Sequence, residues 1–129
     1  MGTINQTEVF EDTTAEKLYE ILMDAKQHAA FTGDEATIST EVGGSFSTYG
    51  GYSTGKNVEL IPGKRIVQTW RAADWPEGVE STATFDFEQQ GDNAIIRFTK
   101  TNVPDEQHDA IEQGWVDYYW EPMRGYLSL

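Results

Sequence analysis

The two histidines of this sequence are the side chains best suited to metal or acid–base chemistry. His108 and Glu112 have helical i, i+4 spacing, so both could hold one metal ion from a helix face. Two ligands do not make a metal site, and no third ligand has a recognisable spacing. No Ser–His–Asp signature occurs either, because Gly44-Ser45-Phe46 lacks the nucleophile-elbow pattern. We therefore predict no catalytic residues, no bound metal and no enzymatic activity.

A glycine-rich segment, residues 50–56, is the other candidate for chemistry. Its sequence Gly-Gly-Tyr-Ser-Thr-Gly-Lys lacks the Walker spacing of a phosphate-binding loop, and it falls between two predicted strands. A hairpin connection is the favoured interpretation, and no cofactor is predicted. The chain carries 22 Asp and Glu against 9 Lys and Arg, a net charge of −13, which disfavours nucleic-acid and anionic-membrane partners.

Length and composition predict a single domain over residues 1–129. With 129 residues and 38% hydrophobic side chains, the chain can bury one core. The absence of cysteine excludes disulfides, thiol catalysis and cysteine–zinc sites. No apolar run approaches the roughly 20 residues of a membrane span, and the first residues lack the pattern of a secretion signal. A cytoplasmic location is expected. The acidic residues are spread along the chain, which favours a solvated surface over a surface for a basic partner.

Periodicity then predicts the elements that must position any site. A capping-box signal at residues 13–16, with Thr13 as the N-cap, starts a helix whose apolar residues follow at helical spacing to Ala25. A second short helix is expected from Ala25 to Phe31. The remaining segments alternate or are bounded by glycine turns, and the predicted strands are Ile4–Phe10, Ile38–Glu41, Ser45–Tyr49, Tyr52–Leu60, Lys64–Arg71, Glu80–Glu88 and Ala94–Thr101.

The last helix of the chain has an unusually wide apolar arc. Its apolar residues, when stepped at about 100° per residue, fill a sector of roughly 180°, whereas a typical surface helix buries a stripe of about 100° or somewhat more. A curved antiparallel sheet wrapped around this helix would bury such an arc. Pro122 is expected to kink or break it, because proline lacks an N–H and crowds the Tyr118 carbonyl. The predicted class is α+β in a helix-grip layout, with six to seven strands around a long C-terminal helix and one or two short helices after the first strand.

Three groups of residues resemble the carboxy-terminal domain of the activator of heat-shock-protein-90 ATPase, a family of the START-like helix-grip superfamily. They occur in the order of that family and cover nearly the whole chain. The groups are Leu18-Tyr19 with Ala29-Ala30-Phe31-Thr32 and Gly43-Gly44-Ser45-Phe46; Ile66–Arg71 with Trp75-Pro76-Glu77-Gly78; and Gln113-Gly114-Trp115 with Tyr118-Tyr119-Trp120-Glu121.

The resemblance implies a non-catalytic binding domain whose partner is the ninety-kilodalton heat-shock chaperone, in a co-chaperone or stress-response role. The alternative that it leaves open is a START-like carrier or sensor of a small hydrophobic ligand. Such a ligand would lie in a cavity between the sheet and the C-terminal helix.

The candidate site residues follow from the inner faces of the predicted strands and the last helix. The polar residues Gln68 and Lys100 are in register with apolar neighbours; Lys100 either reaches the rim, which is favoured, or meets an acidic partner. Trp70, Arg71 and Trp75 could line a contact surface or pack a sheet edge. The predicted cavity set is Gln68, Trp70, Phe85, Phe98, Lys100, Trp115, Tyr118 and Tyr119. The predicted partner surface is Arg71, Trp75 and Trp120.

Overall fold

Seven strands pair into one antiparallel sheet in a computed structural model that describes residues 1–128. The order across the sheet is β1-β7-β6-β5-β4-β3-β2, so a meander runs from β2 to β7 and β1 lies beside β7. The expected class and strand number are confirmed. The strands are β1 (Gly2–Phe10), β2 (Thr37–Ile38), β3 (Ser45–Thr48), β4 (Ser53–Ile61), β5 (Arg65–Ala72), β6 (Ser81–Gln90) and β7 (Asn93–Val103).

Alternation gives each long strand one buried and one outward side. In β6, Ala83, Phe85 and Phe87 are buried, while Thr82 is exposed and Thr84 and Asp86 are half-buried. The strand predicted at residues 38–41 is shorter than expected. The Asn57 side-chain amide donates to the carbonyls of Ser39 and Glu41 at 2.7 and 3.1 Å, so a side chain takes up these carbonyls after β2 has ended.

Two short helices, α1 (Ala15–Met23) and α2 (Ala25–Thr32), follow β1 as expected. The N-cap of α1 is Thr14 and not Thr13, because the Thr14 hydroxyl accepts the backbone N–H of Lys17 at 3.1 Å. The backbone N–H of Thr13 instead donates to the Asp92 carbonyl at the β6–β7 turn. The Asp24 side chain caps α2 at its N-terminus.

The C-terminal helix runs through three kinds of helical turn. A 3₁₀ turn (Asp105–Gln107) leads into α3 (His108–Trp115), a π-turn spans Val116–Trp120, and α4 covers Glu121–Leu127. The backbone stays right-handed at both junctions of the π-turn, where the Glu121 N–H donates to the Val116 carbonyl. A π-turn directly before Pro122 thus interrupts the α-helix in the region where a kink or break is expected. The wider i→i+5 turn accommodates the proline ring and its missing donor.

The π-turn changes which side chains of the helix are buried. A regular wheel places Tyr118 in the apolar arc and Trp120 at its margin, but Tyr118 is 60% exposed and Trp120 is fully buried. A π-turn takes more residues per turn, so each residue advances the rotation less, and the wheel misplaces these two residues although Tyr119 and Met123 are buried as it predicts. The Trp120 indole N–H donates to the Gln6 side-chain carbonyl at 2.7 Å, which fixes it against β1.

The core lies between the inner sheet face and the helices. Aromatic side chains from β5, β6, β7 and the C-terminal helix meet there, including Trp70, Phe85, Phe98, Trp115 and Trp120. The sheet thus grips the last helix, and the helix-grip layout is confirmed. Within residues 1–128, no helix combines the length and apolar character needed to cross a membrane.

Candidate functional site

A groove of about 460 Å³ opens between the C-terminal helix and the β3–β4 connection. Ala110, Ile111 and Gly114 form part of its helix side. Asp34 is the one charged side chain among the lining residues in the described part of the chain. Six aromatic side chains line the groove: Tyr49, Tyr52, Trp70, Trp115, Tyr118 and Tyr119.

Tyr49 reaches this groove from a strained backbone. Its φ of 52° lies in the left-handed region, which a bulky residue rarely adopts. Gly50 and Gly51 follow with φ of 64° and 98°, values that glycine tolerates because it has no Cβ. Gly50 and Gly51, the start of the glycine-rich segment, thus form a 3₁₀ turn with Tyr49 shortly before β4 begins. Such a backbone costs about 1–3 kcal/mol, so surrounding contacts must hold Tyr49 in place.

The main contact that holds Tyr49 is with the π-turn. The Tyr49 hydroxyl donates to the Tyr118 carbonyl. Pro122 has no N–H and cannot give this carbonyl the donor that an ordinary helical residue at the same position would supply. The Tyr49 ring also packs edge-on against the rings of Tyr118 and Tyr119, with centroids 5.7 and 5.8 Å apart. The proline and the strained tyrosine therefore complement one another.

Two carboxylates act on the tyrosines at the groove mouth. Burial raises the pKa of Tyr49, and the nearby Tyr118 and Asp34 raise it further. Burial also raises the pKa of Tyr52, with added contributions from Asp74 and Tyr118. Both phenols are neutral at pH 7, and Asp34 and Asp74 are the carboxylates that act on them.

The floor of the groove covers a buried lysine. Lys100 is fully buried, and its Nζ lies 2.8 Å from the Trp70 ring centroid and 4.9 Å from that of Trp115. Within the described residues its amine has no hydrogen-bond partner. Burial lowers the pKa of Lys100 well below its usual value, because a charge deprived of water is costly. The favoured expectation that Lys100 reaches the rim is wrong.

A small inner cavity of about 20 Å³ lies behind the groove, next to a buried polar chain. His28 Nε2 is 3.1 Å from the Tyr119 hydroxyl, which is 3.4 Å from the Thr48 hydroxyl. Gln68 donates to the Asn57 side-chain carbonyl at 3.0 Å. Burial lowers the pKa of His28 to about 4, so the imidazole is neutral at pH 7.

The predicted cavity residues divide into three groups. Trp70, Trp115, Tyr118 and Tyr119 line the groove. Gln68 and Phe85 line the small inner cavity together with Trp70, Trp115 and Tyr119. Phe98 and Lys100 line neither space, because they pack within the core, and this part of the prediction is corrected. That a ligand occupies the groove stays a prediction.

Two of the three residues of the predicted partner surface are buried, and partner contact at the third, Arg71, stays a prediction. Trp120 is fully buried and Trp75 is 4% exposed, so neither offers a contact surface. The π-turn rotates Trp120 inward, and Trp75 packs its ring on Trp70 with centroids 5.3 Å apart. Arg71 is half-buried on the outer side of β5, and its guanidinium donates to the Trp75 carbonyl at 2.7 Å and to the Pro76 carbonyl at 3.3 Å.

The structure adds a third possible metal ligand, Asp109, to the pair of His108 and Glu112 that the helical spacing predicts. Asp109, the adjacent residue, brings its carboxylate 3.0 Å from His108 Nδ1, and ligand atoms of His108, Asp109 and Glu112 lie within 4.8 Å of one another. The other ring nitrogen of His108 is 3.0 Å from the Thr3 carbonyl. Both ring nitrogens of His108 are therefore engaged in hydrogen bonds. The contact with Thr3 links α3 to β1, and this structural role explains the cluster without a metal ion.

Sequence reasoning missed the acidic and tyrosine rim of the groove. Nothing in the sequence distinguishes Asp34 from the other carboxylates of an acidic chain, and none of the sequence patterns places Tyr49 or Tyr52 at a site. The usable signal was the Gly50-Gly51 pair directly after Tyr49, since two glycines in succession mark a backbone with positive φ.

A family model described as "Activator of Hsp90 ATPase homolog 1-like protein" matches residues 12–128. The chain belongs to this family. Curated members that it resembles include an activator of 90 kDa heat shock protein ATPase homolog from Dictyostelium discoideum, 38% identical over 98 residues. Another is homolog 1 of Homo sapiens, 31% identical over 112 residues. These alignments cover 75% and 87% of this chain but only 26% and 33% of the relatives.

Solved structures agree with this family fold. An HSP90 activator from Plasmodium falciparum superimposes with a TM-score of 0.92 at 24% identity, and the match covers 98% of this chain and 96% of the other. The Aha1 dimer of Colwellia psychrerythraea gives 0.79 at 21% identity, with 94% and 92% covered. The fold of the AHSA1-family chain is therefore shared across nearly its whole length.

Changing Tyr49 and Pro122 together tests how the groove wall of this AHSA1-family domain is held. Tyr49→Phe removes the hydroxyl but keeps the ring, and we expect the free energy of unfolding to fall by about 1 kcal/mol. In a Pro122→Ala background the alanine N–H can serve the Tyr118 carbonyl, so the same change should cost clearly less. Urea unfolding measures both, with Tyr52→Phe as the control. Equal losses in the two backgrounds would contradict the complementarity of proline and tyrosine.

Replacing Lys100 tests the cost of the buried amine. The unfolded chain binds more protons than the folded one between the lowered pKa and about 10.4, so stability rises with pH in that window. Lys100→Met should increase the free energy of unfolding at pH 7 by about 1 kcal/mol or more and flatten its rise from pH 7 to about 9.5. Lys64→Met, at the exposed β4–β5 turn, serves as the control. A destabilised Lys100→Met protein would show that the aromatic rings hold the amine favourably.

Proposed function

We propose that this chain binds a ninety-kilodalton heat-shock chaperone and catalyses no reaction of its own. The observation that carries the proposal is the family match over residues 12–128, because curated relatives of that family are named as activators of this chaperone's ATPase. The chain spans 26% and 33% of the length of the first two of these relatives. Because the chain corresponds to only part of these activators, the function proposed for it is binding to the chaperone. Stimulation of ATP turnover is treated as a separate question.

The outer face of the sheet is the contact surface that we assign to the chaperone. A groove of about 560 Å³ runs there across β3, β4 and β5, and its charged lining residues are Lys56, Arg71 and Glu80. The whole chain has only 9 basic residues against 22 acidic ones, so a groove with two cations and one carboxylate is locally basic and suits an acidic segment of the partner. The hydrogen bonds from Arg71 to the 75–76 loop keep its side chain oriented across this face.

Titration calorimetry with the ninety-kilodalton chaperone of the same organism tests the proposal. We expect saturable binding, and Lys56→Glu should weaken it several-fold because the charge that attracts the acidic partner is reversed. Lys26→Glu, an exposed change on α2 of equal charge, should leave the affinity unchanged. ATP turnover by the chaperone is followed in the same samples. Absence of binding would overturn the proposal, and equal losses for both variants would move the contact away from the outer face.

Carriage of a small apolar ligand is the second candidate function, and the groove on the inner side supports it. Its volume of about 460 Å³ lies within the range of about 300–1,000 Å³ that is typical of small-molecule pockets. Trp70 and Trp115 give it an aromatic floor, and the helix residues Ala110 and Ile111 add apolar surface.

Native mass spectrometry and a neutral fluorescent probe, N-phenyl-1-naphthylamine, test this carriage. The protein should take up the probe, and Ala110→Trp should abolish uptake by filling the groove. Ala30→Trp, an exposed change on α2, should have no effect. A protein that carries no added mass and leaves the probe in solution would contradict the carrier function.

A further inference from the structure

Three tyrosine rings surround the mouth of the inner groove and leave ring surface uncovered. Tyr52 is 43% and Tyr118 60% exposed, although large aromatic side chains are usually more buried. Tyr49 and Tyr118 meet at an interplanar angle of 71°, so their rings form a corner and do not stack. The faces of aromatic rings are electron-rich and attract cations, most strongly where several rings enclose one point.

The charged groups that line this mouth or act on its tyrosines are carboxylates. Asp34 lines the groove beside Tyr49, and Asp74 lies close enough to Tyr52 to act on its ionisation. Neither lysine, arginine nor histidine occurs among the lining residues of the described chain. The protein as a whole has a net charge of −13. A cationic ligand therefore meets attraction at the mouth, whereas an anion meets repulsion.

The buried lysine beneath the floor does not cancel this potential. Lys100 lies against Trp70 and Trp115, the two rings that form the floor of the groove. Burial lowers its pKa well below the usual value, which favours the neutral amine. The floor thus remains apolar, and negative charge is confined to the mouth.

Two costly backbone features place the tyrosine rings. The left-handed φ of 52° at Tyr49 and the π-turn at Val116–Trp120 are both departures from regular structure, and both end at this mouth. Strained residues and π-turns concentrate at functional sites, where the surrounding structure maintains them. Here they hold Tyr49 and Tyr118 together at the rim and turn Tyr118 toward solvent.

We propose that the groove binds an organic cation in which an alkylated ammonium group is joined to an apolar chain. The ammonium group lies among Tyr49, Tyr52 and Tyr118 with Asp34 as its counter-charge, and the apolar chain extends over Trp70 and Trp115. This assignment names the ligand class of the inner groove, and so it rests on the second proposed function, ligand carriage.

Isosteric probes test the charge preference. The intact protein is titrated at low salt with (2-hydroxyethyl)trimethylammonium and with 3,3-dimethylbutan-1-ol, which has the same shape without the charge. Hexyltrimethylammonium and hexyl sulfate compare cation with anion on one apolar chain. Tryptophan fluorescence and calorimetry report binding. We expect each cation to bind about tenfold more tightly than its neutral or anionic counterpart, as cation–π contacts and one counter-charge would give.

Two variants locate the cation. Tyr118→Ala, at a largely exposed side chain, should weaken hexyltrimethylammonium binding about tenfold while leaving the fold intact. Asp34→Asn should weaken both cations several-fold and leave the neutral alcohol unaffected. Asp92→Asn removes the same unit of charge at the β6–β7 turn and should change nothing, which separates the local carboxylate from the net charge.

The outcomes distinguish this proposal from the carrier function. Equal affinity for a cation and its neutral isostere, or tighter binding of the sulfate, overturns the cation preference and leaves carriage standing. Uptake of N-phenyl-1-naphthylamine without binding of any ammonium probe also overturns the cation preference and leaves carriage standing. If neither the neutral probe nor the cations bind, both proposals fail. Equal effects of Asp34→Asn and Asp92→Asn would overturn the assignment of Asp34.

Discussion

Pro122 imposes the constraint on which the groove depends. A proline inside a helix cannot donate to the carbonyl of Tyr118, and its ring crowds that carbonyl, so a regular α-helix cannot pass through this point. The chain responds with a π-turn, which buries Trp120 and turns Tyr118 outward. The Tyr49 hydroxyl then donates to the Tyr118 carbonyl and holds a backbone with positive φ. One imino acid thereby determines the helix phase, the orientation of a tyrosine and the conformation of a loop far away in sequence.

The wide apolar arc of the last helix has its counterpart in an aromatic core. Trp115 lies at the centre of this core, with ring centroids 4.2 Å from Tyr119, 4.5 Å from Phe98 and 5.6 Å from Trp120. Angled aromatic pairs contribute about 0.5–1.5 kcal/mol each beyond the area that they bury. Trp115 also contacts the Lys100 amine, together with Trp70, and this amine has no hydrogen-bond partner among the described residues. A core of this kind can enclose a neutral amine because its N–H bonds can point at the electron-rich faces of aromatic rings where water is excluded.

Most of the sheet could be predicted from sequence, because alternation directly reports which side of a strand is buried. Up to Trp115 the helical wheel likewise predicts which side chains are buried, because the period of an α-helix also reports its buried face. Beyond that residue the wheel still places Tyr119 and Met123 correctly in the core, but it fails at Tyr118 and Trp120, since a step of about 100° holds only within α-helical hydrogen bonding. Alternation also gave the correct face for Lys100 but not its depth, because the period of a strand carries no information about the distance to solvent. The link between Tyr49 and Tyr118 is a long-range contact that local patterns do not contain.

The two candidate surfaces lie on opposite faces of one sheet, and β5 belongs to both. Trp70 points into the inner groove, whereas its neighbour Arg71 lies in the outer groove. Their charge balance differs as well, with one carboxylate at the inner groove and two basic residues against one carboxylate, Glu80, in the outer one. A ligand over Trp70 and a partner at Arg71 therefore act on adjacent residues of the same strand without competing for space. Any coupling between them must be reciprocal, so a ligand that strengthens partner binding is itself held more tightly in the complex.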